Sequence, residues 1–158
     1  MVEIPQLGAR GGGWVVLQFA LMVAILVLGV AGPGWPDGAR WWVKGAGAVL
    51  VCGGTVVFVS ATRALGSGLT PFPRPADAAD LVETGPYAVV RHPIYAGGIL
   101  FFAGVSLALS LAALVATGVL ALVWALKAQV EERFLRAENP RYDAYCERTR
   151  FRLIPFVY

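Results

Sequence analysis

IYAGGILFFAGVSLALSLAALVATGVLALVWAL, residues 94 to 126, contains no charged side chain. As one straight helix it would be roughly 50 Å long, well beyond a hydrocarbon core of roughly 30 Å. One membrane span cannot use all of it. Two helices folded as a tight hairpin near Ser106 to Ser110 do use it, although no Pro or Asn marks the turn and each arm is slightly short. Two more apolar runs lie upstream. Residues 14–30 are uncharged, with Gln18 as the polar interruption, and are about long enough to span. A cleaved leader is the rival there, since Arg10 precedes the run, but a leader's apolar region is usually about 7–15 residues. After a turn rich in Gly and Pro around Pro33 and Pro36, residues 44–61 form the second helix, whose Gly45, Gly47, Gly53 and Gly54 allow close helix packing.

Charge placement chooses between three and four helices. With four, the residues before Trp14, the loop 62–93 and the tail after Leu126 share one face, which holds all 13 Lys and Arg except Arg40 and Lys44. With three, the tail lies opposite the loop and the bias is much weaker. The positive-inside rule therefore predicts an all-α integral membrane protein with about four helices, at 14–30, 44–61, 94–109 and 111–130. The last two form a hairpin, followed by a cytoplasmic amphipathic helical tail. Both ends are expected in the cytoplasm, and residues 1–158 are expected to make one domain.

Composition agrees with this assignment and narrows the chemistry. Of the 158 residues 58% are hydrophobic and 15% charged, against about 25% charged in a soluble domain. No Rossmann or other soluble catalytic domain fits between the apolar runs. Cys52 lies in an apolar run and Cys146 in a basic tail, and His92 is the one histidine, so neither a disulfide framework nor a zinc site is expected. Arginine far outnumbers lysine and Ala, Gly and Val abound, as in a GC-rich bacterial genome, which makes a bacterial inner membrane the expected home.

Two segments remain to carry chemistry. The first, LVETGPYAVVRHPIYAGG at residues 81–98, has a Thr84-Gly85-Pro86-Tyr87 turn and then Arg91, His92 and Pro93 at the mouth of the third helix. Side-chain donors and the orphan N–H groups of a helix start converge there into an anion site. Taken alone, the Arg-His pair reads better as a juxtamembrane anchor for lipid phosphates. The second segment leaves the last helix with Glu131 and Glu132, where a Glu132–Arg136 pair would solvate the helix end, and Asn139-Pro140 stops that helix and can start another with Pro140 in its first position. Tyr142, Tyr145 and Phe151 read as interfacial aromatics, and Arg148, Arg150 and Arg152 as contacts to anionic lipid.

In combination these residues say more. Gly85-Pro86-Tyr87, Arg91-His92-Pro93-Ile94-Tyr95 with Gly97, an apolar hairpin, Glu131-Glu132 with Leu135, then Tyr142, Tyr145 and Arg152-Leu153-Ile154-Pro155 resemble the isoprenylcysteine carboxyl methyltransferase and phospholipid methyltransferase superfamily. The resemblance covers about Gly68 to Pro155. It implies an integral membrane enzyme that takes S-adenosyl-L-methionine from the cytoplasm and a lipophilic acceptor from the bilayer. It further implies that Gly85, Tyr87, Arg91, His92, Tyr95, Gly97, Gly98, Glu131 and Glu132 surround the cofactor. Arg91 and His92 would lie at its carboxylate end, and Glu131 or Glu132 at its ammonium or ribose hydroxyls. Glu131, Glu132 and Arg152 are then the expected catalytic residues, with Arg152 orienting an anionic acceptor. Partners are membrane lipids and a lipid or lipophilic substrate, with no nucleic acid and no metal.

The acceptor stays open at this level. A carboxylate is ionised at neutral pH and needs no base, whereas a lipid amine must first lose a proton. A lipophilic acid, thiol or lipid amine fits a bacterial setting better than a prenylated protein. Two other functions remain: a nicotinamide-dependent membrane reductase of the sterol type, and a non-catalytic scaffold that holds basic segments at the lipid surface.

Overall fold

A computed structural model describes residues 5, 7, 8, 11–74 and 81–155. Parts of the amino-terminal segment, of the 62–93 loop and of the 131–158 tail lie outside the described residues. Among those described there are five α-helices and no strand: α1 Gly12–Ala31, α2 Arg40–Leu65, α3 Pro93–Leu109, α4 Leu111–Glu138 and α5 Tyr142–Arg148. Three segments are long and apolar enough to cross a membrane, namely Gly12–Ala31, Arg40–Gly68 and Leu111–Glu138. The apolar α3 has 17 residues, about 26 Å of helix, and so approaches the same thickness.

The hairpin turn is a single residue. Ser110 sits in extended backbone (φ −158°, ψ 155°) between α3 and α4 and caps α4, its Oγ accepting from the Ala113 N–H at 3.2 Å. The same hydroxyl donates to the Leu28 carbonyl of α1 at 2.9 Å, so one side chain stops a helix, starts the next and pins a third. Deeper in the hairpin the buried Ser106 and Thr117 hydroxyls bond each other at 2.7 Å. Such a pair satisfies groups that hydrocarbon cannot.

The antiparallel α2 and α3 meet through glycines spaced seven residues apart, Gly47 against Gly104 and Gly54 against Gly97. A Cβ on Gly97 would stand 2.6 Å from the Phe58 nitrogen and 2.9 Å from the Gly54 carbonyl oxygen, so the backbones themselves are in contact. Gly97→Ala should force the helices apart at a cost of about 1–3 kcal/mol, as overpacking does elsewhere. Thermal unfolding in detergent, with Gly53→Ala as the control at an open position, checks it. A Gly97→Ala protein as stable as that control would refute the tight seam.

Against the other side of the hairpin, α1 packs on α4 around Ile25, Ala113, Ala116, Leu120 and Trp124. Val16, Val23, Val27 and Val30 of α1 and Leu111, Val115 and Leu122 of α4 remain exposed in helical stripes. Acyl chains are the natural cover for those stripes. The helices run longer than the sequence expectation, most of all α2 and α4. α2 begins at Arg40 and extends to Leu65, and the fourth helix runs unbroken to Glu138, because Lys127, Glu131 and Glu132 find partners inside the protein and need not leave the helix.

Candidate functional site

α3 starts on Pro93, which needs no N–H partner, with His92 as its cap residue. The chain just before it is clasped by the tail: the Arg91 and His92 N–H groups donate to the Phe151 and Arg152 carbonyls, both at 2.9 Å. Tyr145 of α5 donates its hydroxyl to the Tyr87 carbonyl at 2.7 Å, and Arg148 pairs with Glu83. Tyr142 and Tyr145 are thus buried, at 1% and 2% exposure, and are not interfacial. They dock the tail onto the Gly85–Ala88 turn, where Gly85 takes φ +61°, a conformation that favours glycine. α5 itself begins at Tyr142 and not at Pro140, since the Asn139 Oδ1 accepts from the Arg141 N–H and forms a turn ahead of it.

The two adjacent glutamates face different ways, because neighbours on a helix are about 100° apart. Glu132 is buried in a cage of three arginines and His92. Arg152 binds it with Nε to Oε1 at 2.9 Å and Nη2 to Oε2 at 3.0 Å; Arg91 Nε reaches Oε1 at 2.9 Å, His92 Nε2 lies at 3.3 Å and Arg136 Nη2 at 3.5 Å. Arg91 also donates to the Thr149 and Arg150 carbonyls, each at 2.7 Å. Glu131 turns instead toward Tyr95, whose hydroxyl donates to Oε2 at 2.8 Å, with His92 Nδ1 at 3.8 Å. The His92, Tyr95 and Trp124 rings stack in sequence, with centroids 5.6 Å and 5.7 Å apart.

Glu131 and this stack border a cavity of about 760 Å³, within the range of cofactor and ligand sites. Of the residues expected from sequence, Tyr87, Arg91, His92, Tyr95, Gly98 and Glu131 line it, and Glu132, Arg152, Gly85 and Gly97 do not. Each of those four has a structural occupation. Glu132 and Arg152 are a fork-to-fork ion pair joining tail to helix, Gly97 is a helix seam and Gly85 a turn. Gly98 lines the cavity by admitting Trp124, whose ring carbon would be 2.7 Å from a Cβ there.

Sequence reasoning missed part of the wall. Phe19 and Met22 of α1, Thr55 and Phe58 of α2, and Phe101 and Phe102 of α3 extend the cavity toward mid-membrane, and Lys127 stands where the polar and apolar parts meet. Gln18 joins them, accepting from Lys127 Nζ at 2.6 Å and Trp124 Nε1 at 3.1 Å. The available signal was Gln18 itself, a polar side chain inside an apolar run, which marks an internal partner.

Burial pushes the Tyr87, Tyr142 and Tyr145 phenols well above their ordinary value of 10.0, so they remain neutral donors. The unfolded chain would release these protons near pH 10 while the folded one holds them, so stability is present below that pH and is lost as pH rises above it. Melting curves between pH 8 and 11 should show the fall, and Tyr142→Phe should lessen it. An unchanged fall in that variant would mean that Tyr142 takes no part.

These features define an all-helical membrane protein with a site that opens between a clasped basic loop and the apolar helices. Residues 42–138 match the phospholipid methyltransferase family, and the chain belongs to it. A stretch of 73 residues is 38% identical to the cobalt-zinc-cadmium resistance protein CzcN of Cupriavidus metallidurans, covering 44% of this chain and 33% of that protein. The chain thus spans about a third of the length of that curated relative.

Proposed function

We propose that the protein transfers a methyl group from S-adenosyl-L-methionine to a lipophilic acceptor at the membrane boundary. One observation carries this reading: the cavity joins the Arg91-His92-Pro93-Ile94-Tyr95 and Glu131 segments at one end to walls of apolar membrane helices at the other. When bound, the cofactor supplies an electrophilic methyl group on a sulfonium centre. The residues present fit it. Glu131 offers a carboxylate for an ammonium or ribose hydroxyls, and Arg91 and His92 offer positive and N–H character for a carboxylate. Tyr87 and Tyr95 contribute aromatic wall beside these groups. Tyr142 carries a buried hydroxyl with no partner among the described residues, a donor left for a ligand. The protein's own work is to hold acceptor and cofactor in reacting register and exclude water. Phe101, Phe102, Trp124 and Met22 do the excluding.

Glu132 and Arg152 act in this proposal as positioning residues, since they fix Arg91 and His92 from behind. Membranes containing the protein, given cofactor labelled in its methyl group and a lipid extract, should pass label into solvent-extractable material, and S-adenosylhomocysteine should suppress it. No label in the extract with acids, thiols or lipid amines supplied would remove the proposal.

The setting proposed is a bacterial inner membrane, with the 62–93 loop and the tail on the cytoplasmic side, as the basic residues favour. In a chain with Cys52 and Cys146 replaced, Thr84→Cys and Ala137→Cys should label from one side and Asp37→Cys from the other. Labelling of Thr84→Cys and Ala137→Cys from opposite sides would overturn this topology.

A further inference from the structure

Lys127 is an ammonium enclosed near the membrane with no carboxylate bonded to it among the described residues. Its residue is 1% exposed, and Nζ donates to two neutral oxygens, Gln18 Oε1 and the Pro71 carbonyl, each at 2.6 Å. An ammonium has three N–H donors, and the third has no acceptor among the described residues. Nζ also stands 5.4 Å from the centroid of the Tyr95 ring, on the cavity wall. The nearest carboxylate along the helix is Glu131, one turn on, engaged by the Tyr95 hydroxyl. Burying a cation is costly unless an opposite charge accompanies it.

We propose that Lys127 and Gln18 bind the anionic head of the acceptor, so that the acceptor is an apolar-tailed acid. The placement separates this head from the cofactor's own carboxylate. Lys127 lies one turn, about 6 Å, farther along α4 toward the hairpin than Glu131. From that level toward the hairpin the cavity wall includes Trp124, Met22, Phe101 and Phe102, which can hold a hydrocarbon tail and offer little to an amino-acid end. An ammonium acceptor would meet the Lys127 cation at like charge. As a statement about the methyl acceptor this rests on the methyl-transfer proposal; as a binding site for a lipophilic anion it rests on the geometry alone.

The test is photolabelling of the protein in phosphatidylcholine nanodiscs with a dodecanoic acid carrying a terminal diazirine, beside the same chain ending in an amine. The acid should label the α1 or α3 wall, be displaced by unlabelled dodecanoate, and exceed the amine about tenfold, the worth of a charge-assisted hydrogen bond. Lys127→Met should remove most of the acid labelling and leave the amine's unchanged. Equal labelling by acid and amine in the parent protein would overturn the proposal, whether or not the variant folds. So would a Lys127→Met protein that loses both labels alike, since a strut between Gln18 and Pro71 predicts that. S-adenosylhomocysteine affinity, measured on the same samples, reports separately on the cofactor: acid-selective labelling without it still supports the anion site, while the methyl-transfer proposal fails.

Discussion

Replacing Glu132 by alanine should cost about 3–5 kcal/mol of stability, the loss expected when one member of a buried ion-pair cluster is removed and its partners stay behind uncompensated. Its side chain is 1% exposed and meets Arg91, His92, Arg136 and Arg152. Two of these lie on the loop and α3 cap, one on α4 itself and one on the tail, so the carboxylate ties together segments far apart in sequence. Glu132→Ala should therefore melt early in detergent, with the tail beyond Asn139 newly open to protease. Glu132→Gln keeps an acceptor and should lose less. Since a residue next to the proposed cofactor would be expected to tolerate alanine without unfolding, a Glu132→Ala protein as stable as the parent would contradict this structural assignment.

Glu131→Ala should do the reverse. That side chain lines the cavity, is 26% exposed and holds one hydroxyl, Tyr95, so its removal should leave the melting temperature of the ligand-free protein close to the parent's. Affinity for S-adenosylhomocysteine should fall about ten- to hundredfold, as for loss of a charged hydrogen-bond partner. Tyr95→Phe should cost less, because it leaves the carboxylate. If Glu131→Ala unfolds as Glu132→Ala does while binding is spared, the division of labour between the two glutamates is wrong.

That division marks the limit of what the sequence discloses. The uncharged stretch at residues 94–126 foretold a hairpin, and the hairpin exists, turning on a serine that caps its own helix. The Arg91-His92-Pro93 and Glu131-Glu132 segments were legible as a pair, and they do come together. Which glutamate faces the cavity depends on a 100° turn of α4 and on Arg152 returning from the tail, and linear spacing does not encode either. The resemblance made Arg152 a hook for an anionic acceptor, and the tail arginines together read as contacts to anionic lipid; in the fold the anion that Arg152 meets is Glu132. Lys127 counted among the basic residues of the cytoplasmic face, and only packing reveals that it is enclosed with Gln18.

The most direct test of the account is a titration of the detergent-solubilised protein with S-adenosylhomocysteine, followed by its melting temperature, beside an identical titration with NADPH. A ligand held only by the folded state adds about 2.7 kcal/mol at a hundredfold excess over its Kd, roughly 5–10 °C for a chain of this size. The account predicts a saturable rise of that order with S-adenosylhomocysteine, weakened in Glu131→Ala, and none with NADPH. No rise at millimolar S-adenosylhomocysteine, or a saturable rise with NADPH alone, would contradict it.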